Sequence, residues 1–140
     1  MSAQSLNKLK ELLLAEGYTC VLEKDGKIFP SRERGIRPLI DWLDSGEDFR
    51  GGTAADKVVG KAAAFLYVRL GIRKLYAEVL AESGLSVLRA HAIEAEYGTL
   101  TLKIINREGT DQCPMEKTVA SIDAPEEAEI ALRNRLKTLR

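Results

Sequence analysis

The chain has 140 residues and a mass of 15.4 kDa, the size of one domain that buries a core without disulfides or metal. Lysine plus arginine and aspartate plus glutamate number 21 each, so bulk charge draws the chain to neither nucleic acid nor a membrane surface. No apolar run approaches the roughly 18 residues of a membrane span, the N-terminus lacks a signal peptide's apolar stretch, and Cys20 and Cys113 make neither a disulfide framework nor a metal cluster; a single domain over residues 1–140 in a reducing cytoplasm is expected.

Residues 5–15 predict an amphipathic helix. Leu6, Leu9, Leu12 and Leu13 recur at three to four residues with Lys8, Lys10 and Glu11 between them, and Gly17 supplies the stop. Tyr18 to Leu22, then Asp25-Gly26, then Lys27-Ile-Phe29 predict a hairpin with strands at about 18–24 and 27–31, because both central turn positions need positive φ. Pro38 to Leu43 predicts a short helix carrying Trp42, and Phe49 to Gly52 a loop. Residues 54–69 read as the strongest helix, since Lys61 to Val68 is apolar on nearly every face, as in a buried helix. Lys74 to Ala81 reads as strand, Ser86 to Glu96 as helix, Gly98 to Asn106 as strand and Pro114 to Ile122 as a short helix. Pro125 to Leu139 closes the chain as a helix, its glutamates first and Arg133, Arg135 and Lys137 last, as the macrodipole favours. A helix separates the last two strands, so they are expected to run parallel through a right-handed crossover. The expected fold class is a three-layer α/β/α domain with a four-stranded mixed sheet, an N-terminal β-hairpin plus two parallel strands.

This order places helix starts at Thr53, Ser83 and Cys113, thirty residues apart. Parallel strands would bring all three to one sheet edge. Thr53-Ala-Ala-Asp56 reads as a capping box, so Asp56 is either a cap or a site residue. Lys57, at the positive end of a helix dipole, either points to solvent or meets a bound anion. Ser83-Gly-Leu-Ser86 is either an ordinary strand-to-helix turn capped by Ser83 or a place where Gly84 leaves an amide uncovered for a phosphate or carboxylate, with Glu82 alongside. Cys113-Pro-Met-Glu116 puts proline at the first helical position and cysteine at the cap, where the dipole favours thiolate. Glu116 then takes the third position. His91, the only histidine, falls mid-helix, a poor place for the base of a Ser-His-Asp triad. Neither a Walker loop nor a dinucleotide fingerprint is present.

Ala55-Asp-Lys-Val-Val-Gly-Lys-Ala62, Glu82-Ser-Gly84 and Cys113-Pro-Met-Glu116, set in this element order, resemble a small family of uncharacterised prokaryotic proteins with a cytidine-deaminase-like fold. The resemblance covers roughly residues 5–137 and implies the fold; it brings no activity with it. Zinc deaminases carry His-x-Glu, or Cys for His, at the start of the buried helix and Pro-Cys-x-x-Cys at the start of the next. Asp56-Lys-Val58 and Ser83-Gly-Leu-Ser86 are expected at those places. They offer no imidazole, no thiolate and no proton-shuttling glutamate. Zinc-dependent deamination is therefore not expected, and no metal or cofactor is assigned.

Three functions fit these residues. The first is binding of a small anionic or nucleotide-like ligand by helix amides and Lys57, with Asp56, Glu82, Ser83, Gly84 and Glu116 around it. The second is a thiol-dependent enzyme with Cys113 as catalytic nucleophile or redox thiol, helped by Glu82, Asp56 or Lys57. The third is a non-catalytic interaction module. The C-terminal helix, with Leu132, Leu136 and Leu139 in a stripe, and an exposed sheet edge leave room for a homo-oligomer, although the same stripe serves packing within the chain.

Overall fold

The computed structural model describes residues 2–105 and 112–138. In chain order it runs α1 (Ser2–Ala15), β1 (Cys20–Lys24), β2 (Lys27–Ser31), α2 (Arg37–Asp44), β3 (Thr53–Val59), α3 (Lys61–Leu70), β4 (Lys74–Ala81), α4 (Glu82–Ala90), β5 (Glu94–Thr101), α5 (Pro114–Val119) and α6 (Pro125–Thr138). The strands form one sheet in the order β2-β1-β3-β4-β5. β1 is antiparallel to both neighbours, and the β3–β4 and β4–β5 pairs are parallel. The first hairpin turns at Asp25 and Gly26, with φ of 52° and 82°, as the Asp-Gly pair predicts.

Strand alternation sorts side chains into two cores. Val21, Ala55 and Tyr76 pack under Leu6, Leu9 and Leu13 of α1. Their chain neighbours Cys20, Leu22, Ala54, Leu75 and Ala77 belong to the larger core, with residues of α2 to α6. The sheet thus lies between α1 and the other helices, the expected three layers. Leu132 is fully buried in the larger core and Leu136 packs against it, so this stripe serves the chain's own packing; Leu139 lies outside the described residues.

The sheet has five strands, not four, and the additional one is central. Residues 53–59, expected to open a long helix, form β3. Alanine and lysine favour helix locally, and Thr53-x-x-Asp56 reads as a helix start. Yet Ala54 and Ala55 are both 0% exposed, small enough to bury a strand under helices on both faces, and that burial overrides propensity. α3 starts only after Gly60, and residues 62–67 are buried as expected. α4 and β5 each begin four residues before their expected starts at Ser86 and Gly98. No glycine marks the end of α4. Ala92 takes the left-handed position at φ 61°, and the Ile93 N–H closes the turn on the Leu88 carbonyl at 2.9 Å. β5 also ends early, at Thr101, short of the expected end at Asn106, a residue that lies outside the described ones. Among the described residues no helix is long and apolar enough to cross a membrane.

Candidate functional site

Asp56 stands opposite Cys20 in the β1–β3 ladder and opposite Ala77 in the β3–β4 ladder. Its side chain is buried, 8% exposed. Tyr67 of α3 donates its hydroxyl to Oδ2 at 2.8 Å, and the Val58 N–H donates to Oδ1 at 3.3 Å. Among the described residues no cation pairs with it. Burial therefore pushes the carboxyl up to about 7, against the pull of the Tyr67, Val58 and Lys57 hydrogen bonds. Burial also lifts the Tyr67 phenol well above its ordinary value, with Asp56 adding to the rise. The Cys20 thiol is raised by its burial first and by the Asp56 charge second.

Asp56, Lys57 and Val58 all line one cavity of about 280 Å³. A regular strand would turn the middle residue away. Here the ladders skip the row of Lys57, Glu78 and Gly98. A Cβ on Gly98 would come within 2.9 Å of the Glu78 carbonyl oxygen, so that row packs backbone against backbone. Cys20, Cys113 and Glu116 share the cavity, with Ile36, Ala62, Ala63, Ile104 and Met115 as apolar wall. Exposed Arg34, from the loop before α2, and half-buried Lys57 are its cations. Neither side chain makes a hydrogen bond or ion pair among the described residues.

Glu116 is 5% exposed and accepts from two backbone amides of α3, Lys61 N–H at Oε1 and Ala62 N–H at Oε2, each at 2.8 Å. A carboxylate from α5 thus caps a helix 55 residues earlier in the chain. The place where an anion would meet the α3 amides is filled by the protein itself.

The structure gathers Asp56, Lys57, Cys113 and Glu116 into one cavity, and leaves Glu82, Ser83 and Gly84 out of it. Thr53 starts a strand, so the expected capping box does not form, and Asp56 and Lys57 sit on β3 rather than on a helix. Glu82 and Ser83 are exposed in the first turn of α4. Gly84 is buried, and a Cβ there would meet the Gly60 carbonyl oxygen at 2.9 Å, so the missing side chain allows close packing. Cys113 is the cap of α5 with Pro114 next, as expected, and is half-buried. His91 is exposed at the C-terminal end of α4, not mid-helix, and faces a shallow groove with Ser83 and Ser86.

Cys20, Arg34 and Tyr67 were not among the expected site residues. The hairpin alternation puts Cys20 on the Leu22 face, but only the strand assignment of residues 53–59 places Asp56 beside it.

The family model described as "TM1506: Domain of unknown function (DUF1893)" matches residues 8–136. The chain belongs to the DUF1893 family. Its fold is similar to the crystal structure of the DUF1893 family protein TM1506 from Thermotoga maritima, with 22% identity over 99% of this chain and 92% of that one, and a TM-score of 0.86. It is also similar to apo dCMP deaminase from the cyanophage S-TIM5, with 16% identity over 69% of this chain and 99% of that one, and a TM-score of 0.52; this likeness shows the fold alone. No curated protein matches the sequence.

This DUF1893 chain thus has a deaminase-like α/β fold with a mixed sheet. The residues do not fit a deaminase zinc. Asp56-Lys-Val58 lies on the strand before the buried helix, correcting its expected place at the helix start. The helix starts themselves read Gly60-Lys61-Ala62 and Ala81-Glu82-Ser83, without histidine or cysteine. Among the described residues no three His, Cys, Asp or Glu side chains are grouped to hold a metal ion.

Proposed function

We propose that this DUF1893 protein binds a small anionic, nucleotide-like ligand in the Asp56 cavity: a flat apolar body carrying a phosphate or carboxylate. The observation that carries this reading is the pair of cations, Arg34 and Lys57, whose side chains make no ion pair among the described residues, on a cavity whose wall is otherwise mostly apolar. Arginine grips phosphate or carboxylate oxygens in a bidentate fork, and lysine adds a point charge. Apolar walls with a few placed polar groups are what small-ligand pockets have. Side chains take the role expected of helix amides, because Glu116 already holds those of α3.

The test is a thermal-shift panel of nucleotides and phosphorylated metabolites on the wild type and on the Arg34→Ala/Lys57→Ala variant. A ligand at 100 times its Kd adds about 2.7 kcal/mol to wild-type stability. The double variant, whose exposed and half-buried side chains are not core, is expected to fold and to lose that shift. A panel that shifts neither protein sinks the reading.

A second reading, thiol-dependent catalysis at Cys113, is favoured by one observation. Cys113 shares the cavity with Asp56, a carboxyl that exchanges a proton near neutral pH.

A further inference from the structure

We propose that Asp56 selects the inner end of the ligand: the molecule held by Arg34 and Lys57 presents a neutral hydrogen-bond donor, an amino or ring N–H group, to the Asp56 carboxylate. This inference rests on the anion-binding reading and adds to it what the opposite end of the ligand must carry.

A carboxylate has about four lone-pair sites. Tyr67 fills one on Oδ2 at 2.8 Å, the Val58 N–H makes a long contact to Oδ1 at 3.3 Å, and the Lys57 backbone N–H also draws on the carboxylate. Acceptor capacity remains, on a residue that lines the cavity. Its structural duty is to receive the buried Tyr67 hydroxyl and the Val58 N–H, which a neutral acceptor would do in part. Asp56 caps no helix, since it lies within β3, and pairs with no cation among the described residues. Burying such a group costs stability. Departures of this kind collect at working sites. The Tyr67 hydroxyl fixes the carboxylate from α3, so its free edge is oriented before a ligand arrives. The apolar wall of Ile36, Ala62, Ala63 and Met115 disfavours a full positive charge beside it, which is why the donor is neutral.

The selection is proton-linked. The titratable and charged groups around Asp56 are Cys20 on β1, Tyr67 on α3, Lys57 on its own strand, and Arg34, Cys113 and Glu116 across the cavity. Above about pH 7 the carboxylate accepts a donor; below it, the protonated acid has lost acceptor capacity.

Calorimetric titration of phenyl phosphate, 3-aminophenyl phosphate and 4-aminophenyl phosphate separates the two claims. Phenyl phosphate tests the cations and the apolar wall alone. It is expected to bind Asp56→Asn at least as tightly as the wild type, because the variant removes a negative charge from the cavity. At about pH 8, one of the amino isomers is expected to bind the wild type at least about tenfold tighter than phenyl phosphate, the effect of a hydrogen bond to a charged group. That ratio is expected to fall below about threefold in Asp56→Asn, and in the wild type at about pH 5.5, with carboxyl protonation. The ratio is read because the phosphate's own charge changes over this range. Binding of phenyl phosphate with no gain from either amino group overturns the Asp56 inference and leaves the anion reading standing. So does a gain that persists in Asp56→Asn. If none of the three binds the wild type, the anion reading fails, and this inference with it.

Discussion

The Glu116 carboxylate occupies the space where a side chain on Gly60 would begin, since a Cβ there would fall 2.4 Å from Glu116 Cδ. The two residues make one device. Glycine opens the start of α3, and a buried carboxylate from α5 enters and takes the two amides. Glu116→Ala would orphan both donors, and the Ala62 amide is buried. It is expected to cost about 2–3 kcal/mol in urea unfolding. Glu116→Gln keeps one acceptor and is expected to cost about half as much. Gly60→Ala is expected to be at least as damaging as Glu116→Ala, because it evicts the carboxylate and adds a clash.

Asp56 shapes the pH dependence of stability. Its carboxyl is raised from 3.8 to about 7, so as pH rises the unfolded chain loses this proton first. Stability contributed by the protonated acid is complete below about pH 4 and is lost as pH rises towards 7. Asp56→Asn is therefore expected to stabilise the protein by about 2 kcal/mol at pH 8. That is roughly half the value of the full displacement, because the asparagine amide nitrogen cannot accept from Val58 N–H. Near pH 4, where the wild-type acid is protonated and only the lost hydrogen bond remains, the variant is expected to be less stable than the wild type by about 1–2 kcal/mol, as measured by urea unfolding at both pH values.

Two thiols share the cavity, but only Cys113 is reachable. Cys20 is 1% exposed and its thiol is raised by burial, whereas Cys113 is half-buried. Titration of the native protein with a chromogenic disulfide is expected to release one equivalent at neutral pH, abolished by Cys113→Ser. The second equivalent is expected only on unfolding. Two fast equivalents would contradict the packing of β1.

The outer elements were legible in the sequence because each carries its own local signal. Asp25-Gly26 marks the hairpin, Pro114 the start of α5, and the Leu6, Leu9, Leu13 stripe the face of α1. The centre of the sheet was not. β3 is built from Thr53-Ala-Ala-Asp-Lys, whose pattern is that of a capped helix start, and becomes a strand because helices close on both sides of it. That one misreading displaced the candidate site. Asp56 and Lys57 line the cavity from β3 and not from a helix start, so Asp56 does not play the capping role its pattern suggests. Tyr67, the partner of Asp56, looks like ordinary helix core in the sequence. The pairing of Glu116 with Gly60 spans too much chain for spacing to reveal it.

The end of α4 was illegible for a simpler reason: alanine stands where glycine usually stops a helix. Ala92 at φ 61° is in a conformation that costs an L-residue about 1–2 kcal/mol. Ala92→Gly relieves this but frees the unfolded chain. A net stabilisation of about 0.5–1 kcal/mol is expected, seen as a rise in Tm of a few degrees.

The central claim is that one cavity, between β3 and the start of α3, is where this protein takes a small anion-bearing molecule. The most direct test is to map phenyl phosphate on the ¹⁵N-labelled protein by amide chemical shifts. Saturable changes are predicted at Cys20, Gly35, Lys57, Val58, Ala62 and Cys113, and are lost in Arg34→Ala/Lys57→Ala. Changes centred on Ser83, Ser86 and His91, or none at saturating phosphate ester, would contradict it.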